Sequence, residues 1–196
     1  MRFFLVLIII LNINYIVKAD DIKDFQIEGM SIGDSALDFF TKSELIKEKE
    51  YYRRTNSKKF YMTSVNSPKF KKYDNIMFHF KNNDPSFIIH SISAAIWFSD
   101  SKLKNLSDCK IMRNKIDNQL TQLFSNLDRD VHDNKTHQGD ITGKSSTHSI
   151  TYWFENNHNA GVACYILSKE FGGTSHLKVM VNSNELIDWI NNVVYK

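Results

Sequence analysis

The chain has 196 residues, of which 42% are hydrophobic and 24% are charged, and it contains two cysteines and two prolines. This composition excludes collagen-like, coiled-coil and wholly disordered proteins, and it predicts one globular domain. The formal charge of +3 falls to +1 without Arg2 and Lys18 of the first 19 residues, so we expect no nucleic acid partner.

Residues 1–19 have the features of a secretory signal peptide. Arg2 gives a positive start, an apolar run follows from residue 3 to 17, and the small Ala19 closes the segment. An uncleaved membrane anchor is the alternative, but this run is shorter than the roughly 20 apolar residues that span a bilayer. We therefore expect cleavage after Ala19 and export to the periplasm or the cell exterior. The mature chain, residues 20–196, should then span no membrane.

The first part of the mature chain predicts two short helical stretches, beginning near Asp34 and Ser43, and then three strands. The alternation is clearest in the second strand, where Ile76, Phe78 and Phe80 share one face. The three predicted strands are Phe60–Val65, Ile76–Lys81 and Phe87–Phe98.

Residues 106–127 predict a long amphipathic helix with Cys109 in its apolar stripe. Cys164 has the inward parity of a strand predicted over 160–167. Two cysteines allow one intramolecular pairing, and an oxidising compartment would preserve it, so we predict a Cys109–Cys164 disulfide. Two buried free thiols are the alternative.

Residues 128–147 are polar and have no hydrophobic period, which predicts a long, flexible surface loop. The loop concentrates imidazoles and carboxylates, which are zinc and calcium ligands. Its weak metal candidates are His132, Asp133, His137 and Asp140. However, the residue spacing does not match a calcium loop or a His-Glu-x-x-His zinc helix. We therefore assign no metal, cofactor or catalytic residue.

Three more strands and a closing helix complete the chain. The strands are predicted over 148–155, 160–167 and 176–181, and the helix begins near Asn182. The whole pattern predicts an α+β fold: an antiparallel sheet of about six strands, helices packed on one face, and a C-terminal helix.

The order helix, strand, strand, strand occurs twice, over 25–98 and 106–182. True internal duplication and chance similarity between hairpin segments both remain open. The expected architecture is a single domain in either case.

The segment Ile27-Glu-Gly-Met-Ser-Ile-Gly-Asp-Ser-Ala-Leu-Asp-Phe-Phe40 resembles the opening of small exported bacterial proteins of unknown function. This resemblance implies export and a compact α+β fold, without implying an activity. More distantly, the Gly-x-x-x-Gly-x-Ser entry into the helical segment is similar to the β-lactamase-inhibitor-protein-like fold of small outer-membrane assembly lipoproteins. That likeness implies protein binding across an exposed sheet face. The chain departs from those lipoproteins because it has no lipid-accepting cysteine and no Gly-x-Pro after the helical segment.

Several aromatic residues and one histidine suggest an aromatic patch on an exposed sheet face. Some of them alternate along their strands with the inward-facing apolar residues, so their side chains should point to the opposite face. They are Tyr61, Tyr73, His79, Trp97, Trp153 and Tyr165. Packing beneath helices or the long loop is the alternative.

No nucleophile elbow or phosphate-binding loop occurs in the sequence. We therefore expect an exported, non-enzymatic module that binds another protein of the cell envelope or contributes to envelope assembly. A carrier of a small apolar ligand, held between sheet and helices, is the alternative. A third hypothesis is a metal-dependent hydrolase that uses residues 128–148. The sequence does not indicate an oligomeric state.

Overall fold

The computed structural model of the protein describes residues 22–67, 70, 72–99 and 102–196, so the predicted signal peptide lies outside the described residues. The strands are β1 Phe60–Val65, β2 Asn75–Lys81, β3 Ser91–Trp97, β4 Asp128–Thr136, β5 Ser146–Trp153, β6 Asn159–Ile166 and β7 His176–Asn182. The helices are α1 Lys42–Lys47, α2 Leu106–Leu123 and α3 Asn184–Trp189, with 3-10 turns at Ile22–Asp24 and Ala36–Asp38 and a π-helical turn at Ile190–Val194.

The seven strands form one antiparallel sheet in the order β1-β2-β3-β7-β6-β5-β4. Strands β1 to β3 form one meander, β4 to β7 form another, and the two join where β3 pairs with β7. The predicted α+β class and antiparallel sheet are therefore confirmed, with seven strands where the sequence indicated about six.

The additional strand is β4, which lies within the predicted flexible loop 128–147. It pairs with β5 from Asp128 opposite Trp153 to Thr136 opposite Ser146, with a bulge between His132 and Lys135. The expected loop is thus corrected to a strand followed by a turn. Because β4 is an edge strand with all nine residues exposed, it needs no alternating apolar side chains, and its sequence shows no strand period.

One face of the sheet, the covered face, holds the main core. Its central side chains include Phe78 and Phe80, both fully buried. The N-terminal segment covers one half of this face, with the Phe40 ring 5.6 Å from that of Phe78. Helix α2 covers the other half and is joined to β6 by the disulfide between Cys109 and Cys164, which confirms the predicted pairing.

The opposite face, the open face, carries the side chains of Phe60, His79, Lys178 and Tyr165, and it is only partly covered. Helix α3 lies on this face, with the Trp189 ring 5.4 Å from that of Phe60. Thus α2 lies on the covered face, as expected for helices on one face, whereas α3 contacts the other.

A segment after α1 also crosses the open face. Glu50 bridges to Met62 at the edge of β1, and the Arg54 guanidinium then donates a hydrogen bond to the carbonyl of Gln138, 2.8 Å away. This contact joins the β1 side of the sheet to the turn between β4 and β5.

Among the residues that the structure describes, none of the helices combines the length and apolar character needed to cross a membrane.

Candidate functional site

The open face has a groove of about 390 Å³ between strands β4 to β6 and the C-terminal segment. We call it the groove. Its strand residues include Asp130, His132, Lys135, Ser149, Thr151, Trp153, Asn159 and Tyr165, and its far wall is formed by Ile187, Asn191 and Tyr195. This volume lies within the range of about 300–1,000 Å³ found for small-ligand sites.

Strand alternation puts hydroxyl groups on the floor of the groove. Ile150 and Tyr152 are buried in the covered face, so the alternate residues Ser149 and Thr151 point to the open face. Neither hydroxyl is hydrogen-bonded to another side chain or to backbone within the described part of the chain. Both are therefore available to a ligand.

A carboxylate and an indole form one end of the groove. The Trp153 Nε1–H donates a hydrogen bond to Asp130 Oδ2 over 2.9 Å. The hydrogen bond fixes the orientation of the indole relative to the strand and leaves the second carboxylate oxygen free to accept from a ligand.

His132 lies directly opposite Ser149 in the β4–β5 register, so an imidazole and a hydroxyl share the groove. No hydrogen bond joins them, and none of the described carboxylates contacts the His132 ring. A nucleophile, a base and a group that orients the base must be hydrogen-bonded in sequence for serine catalysis. This arrangement lacks both of those links.

The aromatic ring of Tyr165 forms another part of the wall. Its ring is stacked on that of His176, with 5.0 Å between centroids, and the Lys178 ammonium lies 4.5 Å from its centroid. Burial, and secondarily the nearby Lys178 charge, lower the pKa of His176 to about 4. The pKa of His137, which also lines the groove, is lowered for the same two reasons. Both imidazoles are thus neutral at pH 7.

A second cavity, of about 650 Å³, adjoins the groove at His137 and Tyr195. Beside it, the Tyr52 hydroxyl lies 2.8 Å from His79 Nε2. Burial, and then the Lys178 charge, lower the pKa of His79 to about 3, while burial raises the pKa of Tyr52. His79 Nδ1 is buried without a hydrogen-bond partner in the described chain.

The four weak metal candidates do not converge. His132 faces the groove, whereas Asp133 binds the Arg113 guanidinium at 2.7 Å. The Asp140 carboxylate accepts hydrogen bonds from Ser145 and Thr142 within its own turn, and these bonds lower its pKa. Across the described ranges, no three histidine, cysteine or acidic residues are grouped in a way that could hold a metal ion.

His137, the fourth candidate, is packed inside the turn between β4 and β5. Its ring lies 5.1 Å from that of Phe171. A β-carbon at Gly139 would approach the His137 ring to 2.6 Å, so a larger residue there would displace the ring. The ring therefore stabilises the turn that borders the groove.

The aromatic residues and the histidine selected from the sequence lie on different faces of the sheet. His79, Trp97, Trp153 and Tyr165 lie on the open face, as their parity indicated. In contrast, Tyr61 and Tyr73 pack with the core of the covered face.

Sequence reasoning missed the polar groove residues, among them Asp130, Ser149, Thr151 and Asn191. Recognising β4 as an edge strand would have placed Asp130 and His132 on one face, two residues apart. No sequence signal indicated that Asn191, near the C-terminus, lies against the same strands.

The sequence matches no protein-family model, and a search of curated proteins finds no significant relative.

Proposed function

We propose that this protein is an exported, non-enzymatic module that binds another component of the cell envelope in the groove. The observation that carries the proposal is the set of groove side chains without a partner in the described chain: His132, Lys135, Ser149, Thr151 and Asn191. Polar groups gathered in a concave site and not bonded to one another are typical of a binding surface.

Export is supported by the predicted leader and is compatible with the Cys109–Cys164 disulfide, since such bonds persist mainly in oxidising compartments.

Binding is favoured over catalysis by the chemistry of the groove. His132 and Ser149 lie opposite each other without a hydrogen bond. Asp130 is the one carboxylate among the described groove residues, and it already accepts from Trp153. The metal-dependent hydrolase hypothesis receives no support from the dispersed positions of His132, Asp133, His137 and Asp140.

The apolar-carrier alternative is less well supported. Between the sheet and α2, aromatic side chains pack closely, with the Phe124 ring 5.6 Å from that of Tyr152. The groove on the open face is lined mainly by hydroxyl, amide and charged groups. An apolar ligand there would leave them unsatisfied.

The test is a binding assay with envelope fractions from the cells that make the protein. We expect Ser149→Trp to weaken sedimentation with envelope material by about tenfold or more, because the indole fills the groove. Ile111→Trp is the matched control, since Ile111 is 67% exposed on α2. Equal binding by Ser149→Trp and wild type would contradict the assignment of the groove.

Export has a separate test. Cell fractionation should recover the protein outside the cytoplasm, starting near Asp20 and with both cysteines resistant to alkylation before reduction. Recovery of the full-length chain in the cytoplasm, with two reactive thiols, would contradict export.

A further inference from the structure

We propose that the ligand bound by the groove is a saccharide of the cell envelope. The inference rests on the proposed function and names the chemical class of its ligand. It is based on two features: hydroxyl groups on the groove floor that can both donate and accept hydrogen bonds, and aromatic rings along the groove walls.

The groove side chains differ in whether they can donate or accept hydrogen bonds. Ser149 and Thr151 can both donate and accept, Lys135 can only donate, and the free oxygen of Asp130 can only accept. A ligand that satisfies this set must present donors and acceptors close together. Neighbouring hydroxyl groups on a sugar ring do so, because each hydroxyl can act in either role.

The amides of the groove extend the same pattern. Asn159 uses its oxygen to accept from Asn182 at 2.8 Å, which leaves its NH₂ group for a ligand. Asn191 on the opposite wall has both of its amide functions free of the other described residues. Donors and acceptors therefore line the groove on two sides.

Aromatic rings form part of the groove walls. Trp153 is oriented by Asp130, and no described ring or cation covers its indole, so it is the main platform. Tyr165 is also oriented, but the His176 ring and the Lys178 ammonium already contact its ring. Tyr195 lies under the Arg54 guanidinium, 5.6 Å from its ring centroid. A pyranose ring has C–H groups on its faces and hydroxyls at its rim. C–H groups pack favourably on the electron-rich face of an aromatic ring, and the hydroxyls remain available for the groove floor.

An anionic ligand fits the groove less well. Asp130 would repel a phosphate or carboxylate from the end that holds Trp153. Lys135 is the one lysine or arginine among the described lining residues, and the Asp130 charge offsets it, since the half-buried Lys178 over the Tyr165 ring does not line the groove. The charges thus favour a hydroxylated ligand without strong negative charge.

An extended peptide that adds to the sheet edge also fits less well. Such a peptide requires a regular run of unpaired backbone groups on β4. The bulge after His132 interrupts that run, and Asn134 has a positive φ of 59°. Charged residues and bulges are devices that protect edge strands from pairing.

The groove is also built for binding a saccharide and not for cleaving it. Glycoside hydrolysis normally uses two carboxyl groups that flank the scissile bond. Among the described groove residues only Asp130 carries one. We therefore expect bound oligosaccharides to be released unchanged.

The experiment uses wild-type, disulfide-intact protein and envelope material divided into three portions. One portion is untreated, one is treated with periodate, which cleaves the vicinal diols of sugars, and one is digested with protease. We expect binding to be retained after protease and lost after periodate. Defined envelope oligosaccharides on a glycan array then identify the bound structure, and calorimetry measures its affinity.

Variants connect the affinity to the groove. Trp153→Phe removes the N–H that holds Asp130 and shortens the aromatic platform, and we expect about tenfold weaker binding of the array-identified oligosaccharide. Trp97→Phe is the matched control, because Trp97 lies on the open face outside the groove and contacts His176. We expect its affinity to stay within about twofold of wild type.

The outcomes separate this inference from the proposed function. Groove-dependent binding that survives periodate but is lost after protease would overturn the saccharide and leave the module's binding function in place, with a protein as ligand. Groove-dependent binding that survives both treatments would also overturn the saccharide. Binding to envelope material that Ser149→Trp does not weaken would overturn both proposals. Weakening by Trp97→Phe equal to that by Trp153→Phe would contradict the placement of the sugar in the groove.

Discussion

Trp153 on β5 and Asp130 on β4 are joined by a 2.9 Å hydrogen bond from the indole to the carboxylate. The bond connects an aromatic platform and a hydrogen-bond acceptor across the edge of the sheet. Neither residue belongs to the core, and Asp130 is exposed. A solvent-exposed hydrogen bond contributes little to stability, so the main structural effect of this bond is to fix the indole in the groove.

The first prediction separates binding from folding at this pair. Asp130→Asn should lower the free energy of unfolding by less than about 1 kcal/mol, because the contact is exposed and the amide oxygen can still accept from Trp153. The measurement is urea unfolding followed by circular dichroism. A loss above about 2 kcal/mol would mean that the pair is mainly structural.

The second prediction concerns the disulfide. Cys109 and Cys164 are 55 residues apart in sequence, and closing a loop of that length should stabilise the folded state by about 4 kcal/mol through the entropy of the unfolded chain. We expect the double variant Cys109→Ala/Cys164→Ala to lose about that amount in guanidinium unfolding, and reduced wild type to behave similarly. An unfolding free energy within about 1 kcal/mol of oxidised wild type would contradict this account.

The third prediction is a loss of stability in mild acid that depends on His79. Burial and the Lys178 charge hold its pKa at about 3, against 6.5 for an unperturbed ring. Protonation would bury a charge and leave the Nδ1–H without an acceptor. Above pH 6.5 the ring is neutral in both the folded and the unfolded chain, so stability has its full value. As the pH falls from 6.5 toward 3, only the unfolded chain takes up the proton, and the folded state loses stability.

Urea unfolding at several pH values measures this effect. Between pH 5.5 and 4.5, a single buried histidine contributes a slope of about 1.4 kcal/mol per pH unit. We expect His79→Gln to reduce the wild-type slope by about that amount. His132→Gln, at an exposed position of β4, is the matched histidine control. Parallel pH profiles for His79→Gln and wild type would show that His79 does not cause the acid sensitivity.

The sequence predicted the strands whose burial is one-sided or complete. In β2, Ile76, Phe78 and Phe80 alternate with more polar residues because one face packs against the core, and the strand lies where the alternation indicated. The disulfide was predicted by the same reasoning. Cys109 lies in the apolar stripe of α2 and Cys164 on the inward face of β6, so both cysteines face the same core layer.

Strand β4 could not be predicted this way because it is held by ion pairs to α2 and by backbone pairing with β5, neither of which requires apolar residues in the strand. The Arg129 guanidinium binds the Asp117 carboxylate of α2 at 2.7 Å, and Asp133 binds Arg113 of the same helix. Its backbone pairs with β5 and its side chains remain exposed, so no hydrophobic period results. The groove depends on β4 and on the position of Asn191, and for that reason the sequence did not indicate it either.

The last prediction tests the close packing of β5 and β6 beneath the groove. A β-carbon on Gly161 would lie 2.4 Å from the carbonyl oxygen of Ile150 and 3.2 Å from Thr151 Cα, so the two strands would have to separate. We expect Gly161→Ala to lower the free energy of unfolding by about 3 kcal/mol. Because Gly161 lies opposite Thr151, the same shift would displace the hydroxyls of the groove floor and weaken ligand binding.

Gly143→Ala is the control for this change. Gly143 has a φ of +69°, and a β-carbon on it would meet no atom within 4 Å, so alanine there causes backbone strain without a collision. We expect it to cost about 1 kcal/mol and to leave ligand affinity unchanged. Both free energies come from urea unfolding and both affinities from calorimetry. If Gly161→Ala were no more destabilising than Gly143→Ala, the close approach of β6 to the β5 backbone would not be a determinant of the fold or of the groove floor.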